Sequence, residues 1–579
     1  MSGAYNKFPK LAVPVNERCA WRGWTAVLDR IREAIGRGAR RVSIECYPGV
    51  FLDRIESELT QALPQAIVVL AASAWKCPAE IESMTARELT DDPVFGRMNG
   101  FVIDDFLDPK RLDALRDEFG RLQGKAVILV GTGAMAICRE ADLLIYADLP
   151  RWEIQRRQRA GLIGNLGLEN RAERPALKYK RGFFLDWRVA DRIKRPLLDK
   201  LDYLLDTTDS ETPTLLTGDA FRAGLRLAAT RPFRLKPFFD PGPWGGQWMR
   251  EICGLGGEEP NFAWCFDCVP EENSLVLEFG GICAELPAID LVFQHPRELL
   301  GDPVHARFGT EFPIRFDFLD TMGGGNLSLQ VHPLTEYIQD RFGMHYTQDE
   351  SYYLLDAGPD AAVYLGLKKD IDSGKMIREL RQAQAGADSF DAERYVNKWP
   401  ARKHDHFLIP AGTIHCSGRN SMVLEISATP YIFTFKMWDW GRLGLDGRPR
   451  PIHLDHGISN VQWDRDTEWV RQNLINRIAP VAEGPGWIEE RTGLHEREFI
   501  ETRRLWFEMP IVRCTGNTVH VLNLVQGEAA IVDSPSDAFE PLIVHYAETF
   551  VVPAAVGTYR IQPRPGTGRC ATICASVRS

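Results

Sequence analysis

Between residues 20 and 150, continuous apolar runs alternate with segments in which apolar residues recur at helical spacing. A short apolar run bounded by turn residues is typical of a strand buried on both faces, and amphipathic segments are typical of helices that cover a sheet. The pattern therefore predicts a parallel α/β sheet with five buried strands. The five runs are RRVSIECYPGV, QAIVVLAASAW, NGFVIDDF, KAVILVGTGAM and DLLIYADLP, and two of the helical segments are LDRIESELTQAL and PKRLDALRDEFGRL.

The pattern changes twice after residue 150. Residues 150 to 230 are basic and favour helices, whereas from about residue 236 short strand-like runs are punctuated by Gly and Pro. Many short strands of this kind are typical of β-sandwich or barrel domains. We therefore predict a multidomain protein with five segments: an α/β domain over 1–232, the first part of a β-barrel over 233–370, a helical insert over 371–398, the remainder of that barrel over 399–496, and a second barrel over 497–579.

Length and composition agree with a multidomain protein. The 579 residues correspond to three or four domains of about 150 residues each. The net charge of -10 argues against nucleic acid and anionic membranes as partners. The first residues, MSGAYNKFPK, lack the apolar core of a signal peptide, and no run is apolar enough for a transmembrane helix. Because the twelve cysteines are scattered, they fit a reducing compartment, and we expect a cytoplasmic location.

The turn after the first predicted strand bears on whether the N-terminal domain binds nucleotides. A phosphate-binding loop needs several glycines and a Lys-Ser/Thr pair, but this turn reads ECYPGVFLD, residues 45–53, with one Gly. Farther on, YADLPRWEIQRRQRAG and KYKRGFFLDW loosely resemble the lid and closing strand of uridine-kinase-like P-loop proteins. We predict a P-loop-kinase-like fold that has lost catalysis and has a structural or assembly role. A working kinase is the alternative, and a homo-oligomer formed through this domain stays open.

Two motifs in the predicted barrel carry residue types that bind metals. Gln330 and His332 lie two apart in a strand-like run, so they project from one face, and Glu350 begins the next strand. Farther on, HFLIPAGTIHCSGRN contains a P-x-G-x-x-H turn that ends at His415. These four side chains can converge inside a small barrel, and their donor set suits a catalytic zinc ion better than a structural one. Their order agrees with the two motifs of the cupin barrel, the first of them stretched.

The same region resembles a known enzyme family. From about residue 236 to 579 the chain resembles the zinc-dependent class I mannose-6-phosphate isomerases, and this resemblance leaves the first domain out. It implies one zinc ion bound by Gln330, His332, Glu350 and His415, a sugar phosphate as small-molecule partner, and interconversion of mannose 6-phosphate and fructose 6-phosphate. The stretches that carry it are PGPWGGQWMRE, AWCFDCVPEENSLV, LSLQVHP, ESYYLLDAGPDAAVYLGLKK, FLIPAGTIH, MVLEIS and WDWGRLGLDGRPRPIH.

The implied reaction needs a group that moves a proton and groups that stabilise negative charge. Removing the proton at C2 of the open-chain aldose produces an enediolate, which zinc would stabilise. Glu425, in MVLEIS, is a candidate for the base, although which residue is the base stays open. Lys436 and Arg442, in FKMWDWGR, are candidates to stabilise the enediolate or the phosphate. For Arg442, a structural salt bridge to Asp439 is an equally good explanation, and Lys436 could lie on a solvated face.

The sequence departs from the family pattern at two positions. Gln348 stands where many members have a Lys two positions before the metal-binding Glu, and Lys436 stands where many have an Arg upstream of D-W-G-R. Both changes affect groups that would bind substrate or help proton transfer. Two alternatives therefore stay open: an isomerase for a different sugar phosphate, and a non-catalytic sugar-phosphate-binding or regulatory protein.

Other histidines and cysteines have ordinary structural explanations. Cys265 and Cys268 form one isolated C-x-x-C in a strand-like run, which favours core packing over a zinc or redox site. His404 and His406 form an H-x-H that we predict on a surface strand, and His345 is a lesser candidate for the mouth of the site.

The C-terminal segment resembles a second, degenerate cupin. Its PAAVGTY turn after residue 552 lacks the histidine that would complete a metal motif. His520 and His545 stand alone in their motifs, so we expect no metal there and predict that this segment packs against the first barrel.

Overall fold

The computed structural model describes residues 4–121, 124–386, 389–493 and 498–578. The chain divides into two compact units. The first, called here the α/β unit, comprises Lys10–Ala228 and Glu271–His295, and the second, called the β unit, comprises Met1–Pro9, Ala229–Pro270 and Pro296–Ser579. The protein is thus multidomain and rich in β-strands, as predicted. The predicted boundary between 496 and 497 lies outside the described residues.

A seven-stranded sheet is the centre of the α/β unit. Five adjacent strands run parallel, and two further strands extend one edge, each through an antiparallel pairing. The parallel strands are nearly continuous apolar runs because helices cover both faces of such a sheet. In sheet order the strands are Ala20–Arg22, Thr214–Thr217, Tyr203–Asp206, Leu143–Asp148, Arg41–Cys46, Val127–Gly131 and Ile67–Leu70.

One of the five predicted strands is wrong. The NGFVIDDF run forms no strand, and Ile103–Phe106 is a short 3-10 turn instead. The backbone N–H of Val102 donates to the Asp105 carboxylate at 2.9 Å, so a local side-chain bond replaces the sheet ladder. The fifth parallel strand is Tyr203–Asp206, within the segment predicted to be helical.

Helices and a small second sheet complete the α/β unit. Residues 271–295, which the sequence analysis assigned to the barrel, belong to this unit, and two of their strands join Leu11–Val13 in a three-stranded sheet. Those strands are Ser274–Phe279 and Ile282–Pro287. The helices are Trp24–Gly36, Leu52–Ala62, Pro78–Leu89, Pro109–Arg121, Ala134–Ile137, Arg151–Arg159, Pro175–Arg181, Trp187–Leu197, Gly218–Ala228 and Ile289–Gln294.

Two antiparallel sheets in the first part of the β unit carry the candidate site residues. The six-stranded sheet has the order His406–Ile409, Asp349–Ala357, Ser421–Ala428, Ile314–Asp320, Trp264–Cys268 and Phe238–Asp240. The five-stranded sheet has the order Val396–Pro400, Ala362–Leu367, His415–Ser417, Leu329–Val331 and Phe435–Trp438. Cys265 and Cys268 are buried free thiols in the six-stranded sheet, which agrees with core packing.

Helices of the β unit lie in the connections between strands. The predicted insert at 371–398 contains one helix and one 3-10 turn, and a strand already begins at Val396. Among the described residues, no helix combines the length and apolar character that a membrane span requires. The helices are Trp248–Ile252, Pro296–Leu300, Asp302–Phe308, Thr335–Phe342, Ser373–Gln384, Leu454–Asn460 and Thr467–Asn473.

The C-terminal part of the β unit is a second pair of sheets around an apolar core. The core includes Phe507, Leu524, Phe550 and Tyr559, all fully buried. One sheet has the order Ala479–Gly484, Trp487–Gly493, Ile500–Phe507, Cys570–Val577, His520–Gln526 and Thr549–Val552. The other has the order Ile511–Cys514, Thr558–Pro563, Ala529–Asp533 and Leu542–His545.

The two histidines of this C-terminal part have neighbours of their own. His520 Nδ1 lies 3.1 Å from the Tyr559 hydroxyl, and His545 Nδ1 lies 3.3 Å from the Glu548 carboxylate. Each ring therefore has a polar neighbour within the C-terminal part of the β unit.

Candidate metal centre

The four predicted metal-ligating residues come from neighbouring strands of the two sheets. Gln330 lies in the strand Leu329–Val331 and His332 follows it directly, while His415 begins the adjacent strand and pairs with Gln330 in register. Glu350 lies in the six-stranded sheet. All four are buried, with at most 7% of each residue exposed. The structure therefore brings together the residues that the sequence pattern selected.

A glycine turn delivers His415 to this position. Gly412 has a φ of +85°, and a Cβ there would lie 2.7 Å from Gln462 and 3.0 Å from the Asn460 carbonyl oxygen. Its N–H donates to the His332 carbonyl oxygen at 2.9 Å. Only glycine fits both the left-handed backbone and the space, so this turn fixes the spacing between the two histidine motifs.

The side-chain atoms of this group lie within reach of one ion. His332 Nε2 is 3.1 Å from Glu350 Oε2, and His415 Nε2 is 2.9 Å from Glu350 Oε1. One ligand atom from each of these three residues lies within 4.8 Å of the others. The Gln330 amide is 3.2 Å from His415 Nε2, and rotating the amide by half a turn would present its oxygen there.

Hydrogen bonds behind the rings orient them toward the carboxylate. His332 Nδ1 donates to the Phe433 carbonyl oxygen at 2.8 Å, and His415 Nδ1 donates to the Thr413 carbonyl oxygen at 2.9 Å. With Nδ1 protonated, each neutral ring turns an Nε2 lone pair toward Glu350. His332 Nε2 and Glu350 Oε1 are buried and make no well-aligned hydrogen bond to a described residue. A cation between them would satisfy both atoms, so the residues fit a metal ion.

The electrostatics of the group favour a cation. Burial favours the neutral acid at Glu350, but His332 and His415 outweigh it and lower the pKa of the carboxyl. Burial also opposes charge on the rings, yet Glu350 raises the pKa of His332, whereas burial lowers the pKa of His415. Glu350 is therefore an anion at neutral pH, which is the form that binds a metal ion.

Carboxylate and amide groups line the side of the site next to Glu350. Glu425 pairs in register with Tyr352, and burial together with the charge of Glu350 raises its pKa. Gln348 links these groups: its Nε2 lies 3.0 Å from Glu350 Oε2, 3.2 Å from Glu425 Oε1 and 3.1 Å from Ser427 Oγ. Its Oε1 accepts from the Phe433 N–H at 2.8 Å. A neutral amide thus holds both carboxylates.

Cationic side chains line the other side. Lys436 pairs in register with Gln330, so both project from the same face, and burial with the neighbouring Arg450 lowers the pKa of Lys436 to about 7. Arg442 donates to Asp439 at 2.7 and 3.0 Å, the salt bridge that the sequence left as an alternative. Arg450 donates to the other Asp439 oxygen at 3.1 Å and to Ser328 Oγ at 3.1 Å.

Arg450 is a candidate site residue that the sequence patterns did not single out. It lies within the DGRPRPIH stretch, but its place beside Asp439 depends on the turn between Arg442 and Arg450, in which Gly444 bonds Arg448. The sequence did offer one signal for Arg450. It is the second basic residue after D-W-G-R, and it follows a turn that contains two glycines.

Three other histidines lie away from the metal-ligating group. His345 is exposed. His404 is half-buried, and its Nδ1 bonds the Tyr353 hydroxyl at 2.9 Å. The prediction of a surface strand is wrong for His406, which is fully buried. The strand that ends at Gly493 covers it so closely that a Cβ at Gly493 would lie 2.8 Å from the ring.

Curated proteins with similar sequences are named mannose-6-phosphate isomerases. The mannose-6-phosphate isomerase of Streptococcus mutans serotype c (strain ATCC 700610 / UA159) is 29% identical over 217 residues, 37% of this chain and 63% of the relative. The probable mannose-6-phosphate isomerase GmuF of Bacillus subtilis (strain 168) is 25% identical over 234 residues, 40% of this chain and 69% of the relative. This chain is similar to mannose-6-phosphate isomerases. The resemblance predicted from the sequence is thereby confirmed, although the chain spans less than two thirds of the streptococcal relative.

Two further comparisons concern the fold and the first unit. The solved structure of the Bacillus subtilis mannose 6-phosphate isomerase matches with a TM-score of 0.49 and 17% identity, over 60% of this chain and 99% of that one. Residues 23–230 match a family described as a domain of unknown function (DUF8485).

Proposed function

We propose that this protein is a zinc-dependent aldose–ketose isomerase that interconverts mannose 6-phosphate and fructose 6-phosphate. In this proposal Gln330, His332, Glu350 and His415 bind one zinc ion inside a cupin barrel. The main support is the buried group of two imidazoles and one carboxylate, whose ligand atoms lie within 4.8 Å of one another. The names of the curated relatives suggest the substrate.

Zinc suits the donors of this group. Nitrogen and oxygen donors without thiolates are typical of catalytic zinc sites, in which one coordination position stays open to substrate or water. When bound, zinc acts as a Lewis acid that polarises the sugar carbonyl and stabilises negative charge. Phe433 and Thr413 accept hydrogen bonds from the two rings and so keep each Nε2 directed at the ion position.

Glu425 is the residue to which we assign proton transfer between C2 and C1 of the sugar. It lies beside Glu350 on the inner face of the six-stranded sheet, and Gln348 and Ser427 both donate to its Oε1, at 3.2 and 2.9 Å. These bonds fix the position of the carboxylate. Its two hydrogen-bond donors are neutral, and burial with the nearby Glu350 carboxylate raises its pKa, so no cation holds Glu425 in the deprotonated form.

The cationic side of the site would bind the phosphate. Arg442, Arg450 and Lys436 surround a single carboxylate, Asp439, so the group carries excess positive charge. Asp439 and Ser328 hold the two guanidinium groups in place. A dianionic phosphate would balance the charge, and a guanidinium fork matches its geometry.

We predict that Arg450→Ala raises the KM for mannose 6-phosphate by about 10- to 100-fold, because hydrogen bonds to charged groups contribute about 1.5–3 kcal/mol. The matched control is Arg448→Ala, which removes an exposed guanidinium from the same turn and should leave KM unchanged. Arg450→Lys should lie between the two. Steady-state kinetics measure all three variants, and an Arg450→Ala enzyme with wild-type KM would contradict this assignment.

A second candidate function is sugar-phosphate binding without turnover. The observation that favours it is the replacement of two family cations, because Gln348 is neutral and Lys436 lacks the guanidinium fork. Binding of mannose 6-phosphate without conversion would support it.

A coupled assay of mannose 6-phosphate conversion tests the proposed function. Activity should disappear after complete removal of metal by a chelator and return when zinc is added back. Conversion that persists in metal-free protein would contradict the zinc mechanism, and absence of conversion by the zinc-loaded protein would contradict the isomerase itself.

For the α/β unit we propose a P-loop-kinase-like fold without nucleotide binding. At the carboxyl ends of the parallel strands, where such folds bind ligands, the Arg157 guanidinium donates to the carbonyl oxygens of Gly49 at 3.0 Å and Thr207 at 2.7 Å. It also packs 4.1 Å from the centre of the Phe51 ring. This crevice presents carbonyl oxygens to a cation, whereas a phosphate needs N–H donors.

Titration of the full chain with ATP should therefore give no saturable binding up to about 1 mM. Isothermal titration calorimetry with magnesium present measures this directly. The variant Arg157→Ala, which removes the guanidinium from the crevice, is the comparison. ATP binding by the wild type would contradict the proposal. Absence of ATP binding by both proteins would support it.

A further inference from the structure

Tyr352 is a fully buried tyrosine whose hydroxyl has no well-aligned hydrogen bond to any described residue. Such a group is unusual, because nearly all buried polar side-chain atoms have a hydrogen-bond partner. A phenylalanine would fill the same space without leaving a polar atom unsatisfied. Burial and the nearby Glu350 carboxylate raise the pKa of Tyr352, but that carboxylate forms no well-aligned hydrogen bond with the hydroxyl, so the phenol still has a donor to offer.

The position of Tyr352 directs it into the site. It lies two residues after Glu350 on one strand, so both side chains project from the same face. Tyr352 pairs in register with Glu425 on the neighbouring antiparallel strand. Its ring meets the His415 ring edge-on, with the ring centres 5.9 Å apart. The phenol thus lies among the groups that we assign to the metal and to proton transfer.

The next residue on the strand is a natural comparison. Tyr353 projects from the opposite face, where its hydroxyl bonds His404 Nδ1 at 2.9 Å. The two tyrosines lie on the same strand and carry the same side chain. They differ in that the Tyr353 hydroxyl has a well-aligned hydrogen-bond partner, whereas the Tyr352 hydroxyl has none and lies among the carboxylates of the site.

The neighbouring donors are already in use. Gln348 Nε2 lies within hydrogen-bond distance of Glu350, Glu425 and Ser427, and the Ser427 hydroxyl donates to Glu425. The carboxylates can accept hydrogen bonds from sugar hydroxyls, but they cannot donate to a sugar oxygen. Tyr352 supplies an uncharged donor on this side of the site.

We propose that the Tyr352 hydroxyl binds substrate by donating a hydrogen bond to an oxygen of the sugar chain. The inference rests on the proposed function, because it requires a sugar phosphate at the candidate metal centre. It adds a substrate contact on the carboxylate side, away from the cationic groups assigned to the phosphate. The hydroxyl favours ligands that carry an oxygen at this position, because a ligand without that oxygen would leave the hydroxyl without a hydrogen-bond partner.

The variants Tyr352→Phe and Tyr353→Phe test the proposal as a matched pair. Tyr352→Phe should raise the KM for mannose 6-phosphate by about 3- to 10-fold, as expected for one neutral hydrogen bond, and should keep its zinc content and melting temperature. Tyr353→Phe should keep KM and lower the melting temperature by a few degrees, because it loses a satisfied bond. Unchanged KM, loss of zinc, or a lowered melting temperature in Tyr352→Phe would each overturn the proposal.

Calorimetric titration separates this inference from the proposed function. Wild type and Tyr352→Phe are titrated with mannose 6-phosphate and with inorganic phosphate. Weaker binding of the sugar phosphate by Tyr352→Phe, with phosphate binding unchanged, would support the contact even if the wild type converts nothing. Equal sugar-phosphate affinities would overturn the contact, and a wild type that binds no sugar phosphate would overturn both.

Discussion

Glu350→Gln is expected to yield a folded protein that has lost zinc and converts mannose 6-phosphate at least about 10³-fold more slowly, since zinc contributes several kcal/mol of charge stabilisation. The substitution preserves side-chain size and removes the negative charge between the imidazoles of His332 and His415. Without that charge, the remaining donors are neutral and attract a divalent cation weakly. Metal analysis by mass spectrometry and the coupled assay measure the two effects.

The matched control is Glu336→Gln, the same change at an exposed helical position. It should keep both zinc and activity. A Glu350→Gln protein that retains stoichiometric zinc and near-normal turnover would show that this carboxylate is a structural partner of the two histidines and no ligand.

Glu425→Gln is expected to lower kcat by about 10² to 10⁴-fold, the range for loss of a general base, while zinc content stays at the wild-type level. The amide has the size of the carboxylate and can still accept from Ser427, which bonds Oε1 at 2.9 Å in the wild type. It cannot take up the C2 proton. Kinetics and metal analysis on the same preparations distinguish this result from the one expected for Glu350→Gln.

Two outcomes would contradict the role of Glu425. A kcat within a few-fold of the wild type would place proton transfer on another residue. Loss of zinc together with activity would make Glu425 part of the metal site. The Glu336→Gln variant again controls for the substitution itself.

The convergence of the candidate metal-binding residues could be predicted because local rules determine most of it. The period of two places Gln330 and His332 on one face, and the Pro-Gly turn returns the chain at His415. Both features act over a few residues. That Glu350 meets these residues follows from strand order, for which the family resemblance was needed.

Other parts of the site depend on long-range packing and could not be predicted in this way. Arg450 reaches Asp439 and Ser328 only because a turn brings it back beside them, 122 residues from Ser328 along the chain. His406 is buried by a strand that ends at Gly493, far along the chain. That the Tyr352 hydroxyl has no well-aligned hydrogen bond depends on how its neighbours are placed and paired, which a sequence does not reveal.

The errors in the fold have similar causes. The Val102 N–H donates a hydrogen bond to the Asp105 carboxylate, and this local turn forms in place of the strand that the apolar residues favoured. The short strand Tyr203–Asp206 follows a long helical segment and has only four residues, too few for a clear period. Residues 271–295 pair with Leu11–Val13, a partner far along the chain that periodicity cannot indicate.

X-ray absorption spectroscopy at the zinc edge tests the central claim most directly. For the purified, zinc-loaded protein, the account predicts a first shell of nitrogen and oxygen atoms at about 2.0–2.2 Å, an imidazole signal from two rings, and no sulfur. The imidazole signal should fall by half in His415→Ala. A shell with sulfur at about 2.3 Å, or a spectrum unchanged by that substitution, would contradict it.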